Sequence, residues 1–385
     1  MKQFACLPSE FHSYDILEDV LDEIDRDNSA LPSTLNSLVK KGWILQNKEI
    51  DSYKMHRILT DIIKSYQNIV IADVAILINS ISGKLLNDQN LDNPTHKFVW
   101  IPFGNSLLTN LEKESSSEIL TLQNNLALAL QNMGDYQGAK ILLEKVVASD
   151  EKRFGLNHDQ TVLSYSNLAM VLKELGDYKG ASTLLEKAIA FADKNLGEDH
   201  FQTAIYYSNL GVVLRYMGDF RRATELLEKA VALDEKNFGM NHPRTATRYS
   251  NLATVYQNLK DFQRAKVLME KAVAADEKNF GLDHPKTAIR YSILAIVLQN
   301  LGNLQEAKLL MEKAVSSDEK SFGTEHIKTA NRYYNLACIL YELGDYAEAF
   351  RLSLSALKIM KNTLPANHHL IEMVNKFNDI LKSKI

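Results

Sequence analysis

Along the last two-thirds of this chain the same letters return six times at a spacing of ~42 residues. An Asp or Asn stands at Asp135, Asp177, Asp219, Asp261, Asn303 and Asp345. A Phe or Leu stands at Phe154, Leu196, Phe238, Phe280, Phe322 and Leu364, and a His at His158, His200, His242, His284, His326 and His368. A fixed period of this length is the mark of a stacked solenoid, whose units contact only their neighbours and whose stack displays a long concave surface. A binding scaffold is the first expectation for function.

One copy shows how the unit is built. Pro243 suits the first turn of a helix, where no backbone N–H is needed. From Thr245 to Leu259 the apolar positions Tyr249, Leu252, Ala253 and Tyr256 have the spacing of one helix face. Gly134, Gly176, Gly218, Gly302 and Gly344 close the equivalent helix in five copies, with Lys260 in the sixth, and the Asp or Asn that follows is a good N-cap. A second helix is expected from Phe262 to Phe280, its inner face reading Phe262, Ala265, Leu268, Met269, Ala272 and Val273. The position of Ala139, Ala181, Ala223, Ala265, Ala307 and Ala349 stays small, as a close helix crossing requires.

Tyr-x-Asn-Leu-Ala, then Gly-Asp-Tyr-x-x-Ala, Leu-Glu-Lys-Ala and Phe-Gly-x-x-His-Pro-x-Thr-Ala together resemble the tetratricopeptide (TPR) repeat. The repeat length and the Gly-x-x-His-Pro link resemble the repeats of kinesin light chains. The resemblance implies an all-α, right-handed superhelical solenoid of about six helix pairs. The copies depart from it at Lys260, Ile293 and Pro365.

The first third lacks the repeat. An acidic helix is expected over Ile16–Ile24, a helix ending at Gly42, and a hairpin of Trp43–Gln46 and Ser52–Met55 with its turn at Asn47–Asp51. A helix then begins near His56. That order, with Tyr53-Lys-Met-His-Arg-Ile-Leu-Thr-Asp-Ile-Ile, resembles the winged helix that follows the NB-ARC domain in STAND signalling ATPases. The implied domains are a winged-helix-like unit at 1–67, a helical connector at 68–115, the repeats at 116–364 and a capping helix at 365–385. The array is expected to fold without the front domain. No phosphate-cradling Gly-x-x-x-x-Gly-Lys-Ser/Thr loop is present, since the one Gly-Lys pair, Gly83-Lys84, is followed by Leu85.

Bulk properties exclude several classes. A net charge of −4 gives no general attraction to nucleic acid or membrane. Residues 1–66 hold eight Lys or Arg against eleven Asp or Glu, contrary to the positive face a duplex-binding winged helix needs. The two cysteines, Cys6 and Cys338, build no disulfide framework and fit a reducing, cytoplasmic setting. Residues 1–10 lack a signal peptide's apolar run. The stretch Ile69–Ile78, which contains Asp73, is too short to span a bilayer.

The histidine ladder does not suit a metal, because equivalent residues of neighbouring repeats sit roughly a helix spacing apart, farther than one ion reaches. Each histidine reads instead as a local hydrogen-bonding group at a loop-to-helix junction. Acids and bases at repeat spacing read as a solvated face, so no cofactor and no catalysis are expected. The asparagines Asn125, Asn167, Asn209, Asn251 and Asn335 are the leading site candidates. A helical wheel places them opposite the Tyr–Ala–Tyr face, with Thr247, Thr254 and Asn258 beside Asn251. Amides suit the clamping of a peptide backbone, although they also serve to stiffen the stack. Arg248, Arg290 and Arg332 lie three residues earlier, in the last three repeats only, where the first three carry Leu122, Ser164 and Tyr206. The groove is therefore expected to be apolar early, with Leu163, Met170, Ile205, Val212 and Tyr216, and basic late. Ile289, Ile293 and Ile296 interrupt its polar end. The expected partner is a protein or peptide with an acidic stretch and an apolar anchor. The alternative is the sensor half of a STAND-type switch.

Overall fold

Three backbone choices recur in every repeat and set its geometry. A glycine closes one helix (Lys260 in one copy), an aspartate or asparagine precedes the next, and a histidine opens the one after. The computed structural model describes residues 2–10, 12–21, 30–66, 69–86, 95–112, 116–197, 200–364 and 368–385. The end of the expected acidic helix at Ile24, Pro365, and the expected domain limits at 67–68 and 115 lie outside the described residues. The chain forms two compact units, Met1–Asp177 and Tyr178–Ile385.

The first unit opens with α1 (Lys2–Ala5), β1 (His12–Ser13), α2 (Tyr14–Leu21), α3 (Ala30–Lys40), β2 (Ile44–Asn47), β3 (Ser52–Met55) and α4 (Arg57–Tyr66). The hairpin expected from the sequence is present, with Ile44 opposite Met55 and Asn47 opposite Ser52. Gly42, at φ +70°, ends the helix before it. The sheet has a third, antiparallel strand, in the order β1-β3-β2. A two-residue strand has no period to read, so no pattern of letters marks β1.

Next come α5 (Ile71–Leu86), α6 (Thr95–Phe98) and α7 (Ile101–Asn110), then the repeat helices α8 (Ser117–Met133), α9 (Tyr136–Phe154) and α10 (Asp159–Glu174). Helix α5 packs on both α7 and α8. Buried Asn125 on α8 donates from Nδ2 to the Ser82 carbonyl and hydroxyl, at 3.1 and 2.9 Å. Asn167 on α10 donates to Asn124 on α8 across the same 43-residue separation. Helix α5 thus stands against α8 as one first helix stands against the next, although its letters do not follow the repeat. Leu122 and Leu126, both fully buried, belong to the helix that α5 covers.

The second unit consists of α11 (Tyr178–Asn195), α12 (Phe201–Met217), α13 (Phe220–Phe238), α14 (Pro243–Asn258), α15 (Phe262–Phe280), α16 (Pro285–Asn300), α17 (Leu304–Phe322), α18 (Ile327–Leu343), α19 (Tyr346–Thr363) and α20 (His369–Lys382). Each packs on the next, so the architecture is an all-α solenoid of helix pairs preceded by a small three-stranded sheet. Ala223, Ala265, Ala307 and Ala349 have no exposed surface. Lys260 occupies the left-handed position that glycine takes in the other copies, at φ +59°. Asp219, Asp261 and Asp345 cap their helices through the side chain, whereas Asn303 does not.

The histidines are caps as well. His158, His200, His242, His284, His326 and His368 each accept, at Nδ1, the backbone N–H two residues on, at 3.1–3.2 Å. Helix α20 begins on such a cap and takes the place of the first helix of a further repeat.

Ala265→Leu should lower stability by about 1–3 kcal/mol through overpacking; an unchanged urea midpoint would mean that this crossing is loose. A fragment spanning residues 69–385 should melt above one spanning 116–385, which leaves Leu122, Leu126 and Asn125 without their cover. Equal melting would detach α5 from the array.

Candidate functional site

In the second unit, the first helix of each repeat keeps one partly exposed stripe with 4-3-4 spacing. On α12 it is Ile205, Asn209, Val212 and Tyr216; on α14 it is Thr247, Asn251, Thr254 and Asn258. On α16 it is Ile289, Ile293, Ile296 and Asn300, and on α18 it is Asn331, Asn335, Cys338 and Glu342. In the first unit, Leu163, Asn167 and Met170 hold the same positions on α10. The wheel therefore places the asparagines on the stripe, except that Asn125 is buried under α5.

The asparagine amides reach sideways to the preceding first helix. Asn251 Nδ2 donates to Ser208 Oγ at 3.1 Å, as Asn167 does to Asn124 Oδ1 at 2.9 Å. Asn258 Oδ1 accepts from Arg215 Nη1 at 3.4 Å. Asn209 and Asn335 are half-buried at the matching positions. Tyr216 is 48% exposed and stacks on Tyr178 at 5.4 Å, with the Arg215 guanidinium 4.2 Å from its ring centre. These bonds make the amide ladder a tie between neighbouring repeats.

The arginines correct the expected basic flank. Arg248 Nε donates to Asp234 Oδ2 at 2.8 Å, Arg290 Nε to Asp276 Oδ2 at 2.9 Å, and Arg332 Nε to Asp318 Oδ2 at 3.1 Å. The Arg248 and Asp234 side chains are 9% and 0% exposed, and the other two pairs are nearly as deep. Arg290 Nη2 also donates to Thr247 Oγ1 at 3.1 Å. Burial pulls the Arg248 pKa down against the pull of Asp234, and burial pushes Asp276 and Asp318 up against their arginines. A three-residue offset turns the Nε of each toward the end of the preceding second helix, while Arg290 Nη2 also reaches Thr247 on the neighbouring stripe.

The aspartate and its partner stand fourteen residues apart, and the two positions change together. Asp150 accepts from Ser164 Oγ at 2.6 Å. In the next repeat the corresponding pair is Ala192 and Tyr206, both apolar and buried. The late arginines therefore fill a buried slot, while the early residues Leu163, Met170, Ile205, Val212 and Tyr216 stand on the partly exposed stripe. Beside the slot, Tyr165, Tyr207, Tyr249, Tyr291 and Tyr333 donate to Glu151, Asp193, Glu235, Glu277 and Glu319, again fourteen residues back. Burial, reinforced by the acid, pushes Tyr165, Tyr249, Tyr291 and Tyr333 above the ordinary phenol range.

What remains on the stripe is neutral. On the four stripes of the second unit, Glu342 is the one carboxylate or basic side chain, and it accepts from Gln299 Nε2 at 2.6 Å. Burial pushes the Cys338 thiol up to about 11, far from a nucleophile's range. Ile289, 40% exposed, heads an apolar run with Ile293 and Ile296.

Arg248→Tyr alone should cost about 3–5 kcal/mol, because it strands a buried carboxylate. Adding Asp234→Ala recreates the Ala192–Tyr206 pair and should restore most of that loss in urea unfolding. Equal loss in both variants would separate the two positions.

The family model described as tetratricopeptide repeat matches residues 118–194, 164–236, 202–278, 244–320 and 291–362. A solved Podosopora anserina putative kinesin light chain with nearly identical TPR-like repeats is 31% identical; the match covers 53% of this chain and 96% of that one, at a TM-score of 0.45. BtubC (BKLC) from P. vanneervenii is 22% identical over 63% of this chain and 90% of its own, at a TM-score of 0.46. A STAND protein with a tetratricopeptide repeat sensor from Pyrococcus horikoshii is 16% identical; the match covers 99% of this chain and 59% of that protein, at a TM-score of 0.55. No curated protein matches the chain. With the repeat model matching well over half of its length, the chain belongs to the tetratricopeptide repeat family.

Proposed function

We propose that this chain is a protein-interaction scaffold whose partner lies along the stripes of the first helices. Repeats of this family mediate protein–protein interaction, and the family is typically non-enzymatic. The observation that carries the reading is the neutral, partly apolar stripe of the second unit. It keeps Ile289 and Tyr216 exposed while the charges of Arg248, Arg290 and Arg332 are answered inside the fold. A segment with aliphatic or aromatic anchors between uncharged polar residues fits such a surface. The asparagines support it by fixing the spacing of the stripes.

A second reading keeps the array as the sensor of a STAND-type switch. It is supported by the fold likeness over 99% of the chain and by the order α2, α3, β2–β3 hairpin, α4, which resembles the order expected of a winged-helix unit. In that reading the front unit passes the signal to a nucleotide domain carried elsewhere. Its test is whether this protein co-purifies with a P-loop protein in a nucleotide-dependent way.

With the full chain as bait, Ile289→Asp combined with Tyr216→Ala should weaken partner capture at least about tenfold, the scale of losing apolar anchors. The fold should be retained, since both sites are exposed. Affinity should change little between about 50 and about 300 mM salt, because no exposed charge pairs are involved. Undiminished capture by the variant would place recognition on another surface.

A further inference from the structure

The histidine caps combine a titratable group with a bond that only its neutral form can make. At α14, α16 and α18 the geometry is the same. His242, His284 and His326 accept at Nδ1 from the backbone N–H of Arg244, Lys286 and Lys328. Each imidazole stacks on the phenylalanine four residues earlier, with centroids 4.8, 4.6 and 5.0 Å apart. The cation two residues after each histidine lies over that same phenylalanine ring, at 4.6, 4.7 and 4.4 Å.

We propose that these three caps are acid-labile joints, so that the repeat array loosens at the second-helix-to-first-helix junctions as pH falls from about 7 towards about 5.5.

The physical reason is local. A neutral imidazole has one acceptor nitrogen, and a protonated one has none. Protonation therefore turns the cap into a donor facing a donor. It also puts positive charge at a helix N-terminus, where the backbone dipole already presents about half a positive charge. The neighbouring charges are mixed. His242 has Arg244 beside it; His284 has Lys286 on its own helix and Asp276 on α15; His326 has Lys328 on its own helix and Asp318 on α17. At His326 burial, followed by Lys328, lowers the pKa, and Asp318 opposes them.

The sign follows from counting protons. An unfolded histidine binds a proton near pH 6.5. A folded cap that resists protonation binds fewer, so stability is full above that value and is lost as pH falls through it. Asp276 and Asp318 act the other way, since burial raises their pKa and a carboxyl more easily protonated in the folded chain gains stability in acid. The contrast to measure is therefore one between variants that keep both aspartates.

Asparagine caps a helix N-terminus without titrating. The test is hydrogen exchange by mass spectrometry on the full chain, comparing the parent with His242→Asn/His284→Asn/His326→Asn at pH 7.5 and 5.5 after correction for intrinsic rates. In the parent, protection of the first turns of α14, α16 and α18 should fall roughly five- to tenfold, the scale of one lost hydrogen bond. In the variant those turns should hold. Equal loss in parent and variant, or no loss in the parent, overturns the proposal. A second measurement covers a variant that fails to fold. Nitrogen NMR of the parent should find the proton on Nε2 at pH 7.5 for all three histidines; a proton on Nδ1 overturns the proposal too.

Discussion

The second unit depends on a pair of buried links between the end of one second helix and the first helix that follows. A tyrosine donates to an acid fourteen residues back, and an arginine answers an aspartate at the same separation one position earlier. A repeat of two helices cannot bury its own apolar face, so the neighbouring repeat completes it. Leucine and alanine supply most of the burial, but they would tolerate a helix sliding by part of a turn. The polar links do not, because a displaced partner would leave a carboxylate buried without a donor. The Ala192–Tyr206 pair serves the same junction without any charge.

Once the junctions are fixed, the face of the first helices follows. Asparagine and arginine ties between consecutive first helices set the lateral spacing, as in Asn251 to Ser208 and Arg290 to Thr247. Several stripe positions stay partly open while also tied to the neighbouring repeat, and in the second unit the stripe is largely isoleucine, valine, threonine and asparagine. In the proposed reading, a partner would meet a surface that, Glu342 apart, is built of uncharged residues, with the charges of Arg248, Arg290 and Arg332 used to hold the scaffold. Ionic steering would contribute little to such an encounter, and shape and apolar contact would decide it.

The repeat also concentrates its titratable chemistry at the loops. Aspartate caps the second helix in most of the pairs and histidine the first. The two residue types respond to different pH ranges, so the opening of a junction in mild acid falls to the histidine.

Much of this was legible in the chain itself. The period, the helix starts at Pro243 and Phe262, the small alanine row and the local bonding role of the histidines all follow from local rules, because each depends on residues within a few positions of one another. Membership of the repeat family is written in the same letters. The direction of Arg248, Arg290 and Arg332 was not readable from a wheel. A wheel drawn for one helix knows nothing of the preceding repeat, whose Asp234, Asp276 and Asp318 turn those side chains inward. The change from aspartate to alanine in step with arginine to tyrosine, fourteen residues on, was the one sequence clue. The role of α5 was equally hidden, since its letters do not follow the repeat while its Ser82 receives Asn125 at the repeat's own separation. Sequence determines what neighbours along the chain can do for one another. Tertiary packing decides which charged groups are spent on the fold and which remain for a partner, because burial depends on what lies across the interface.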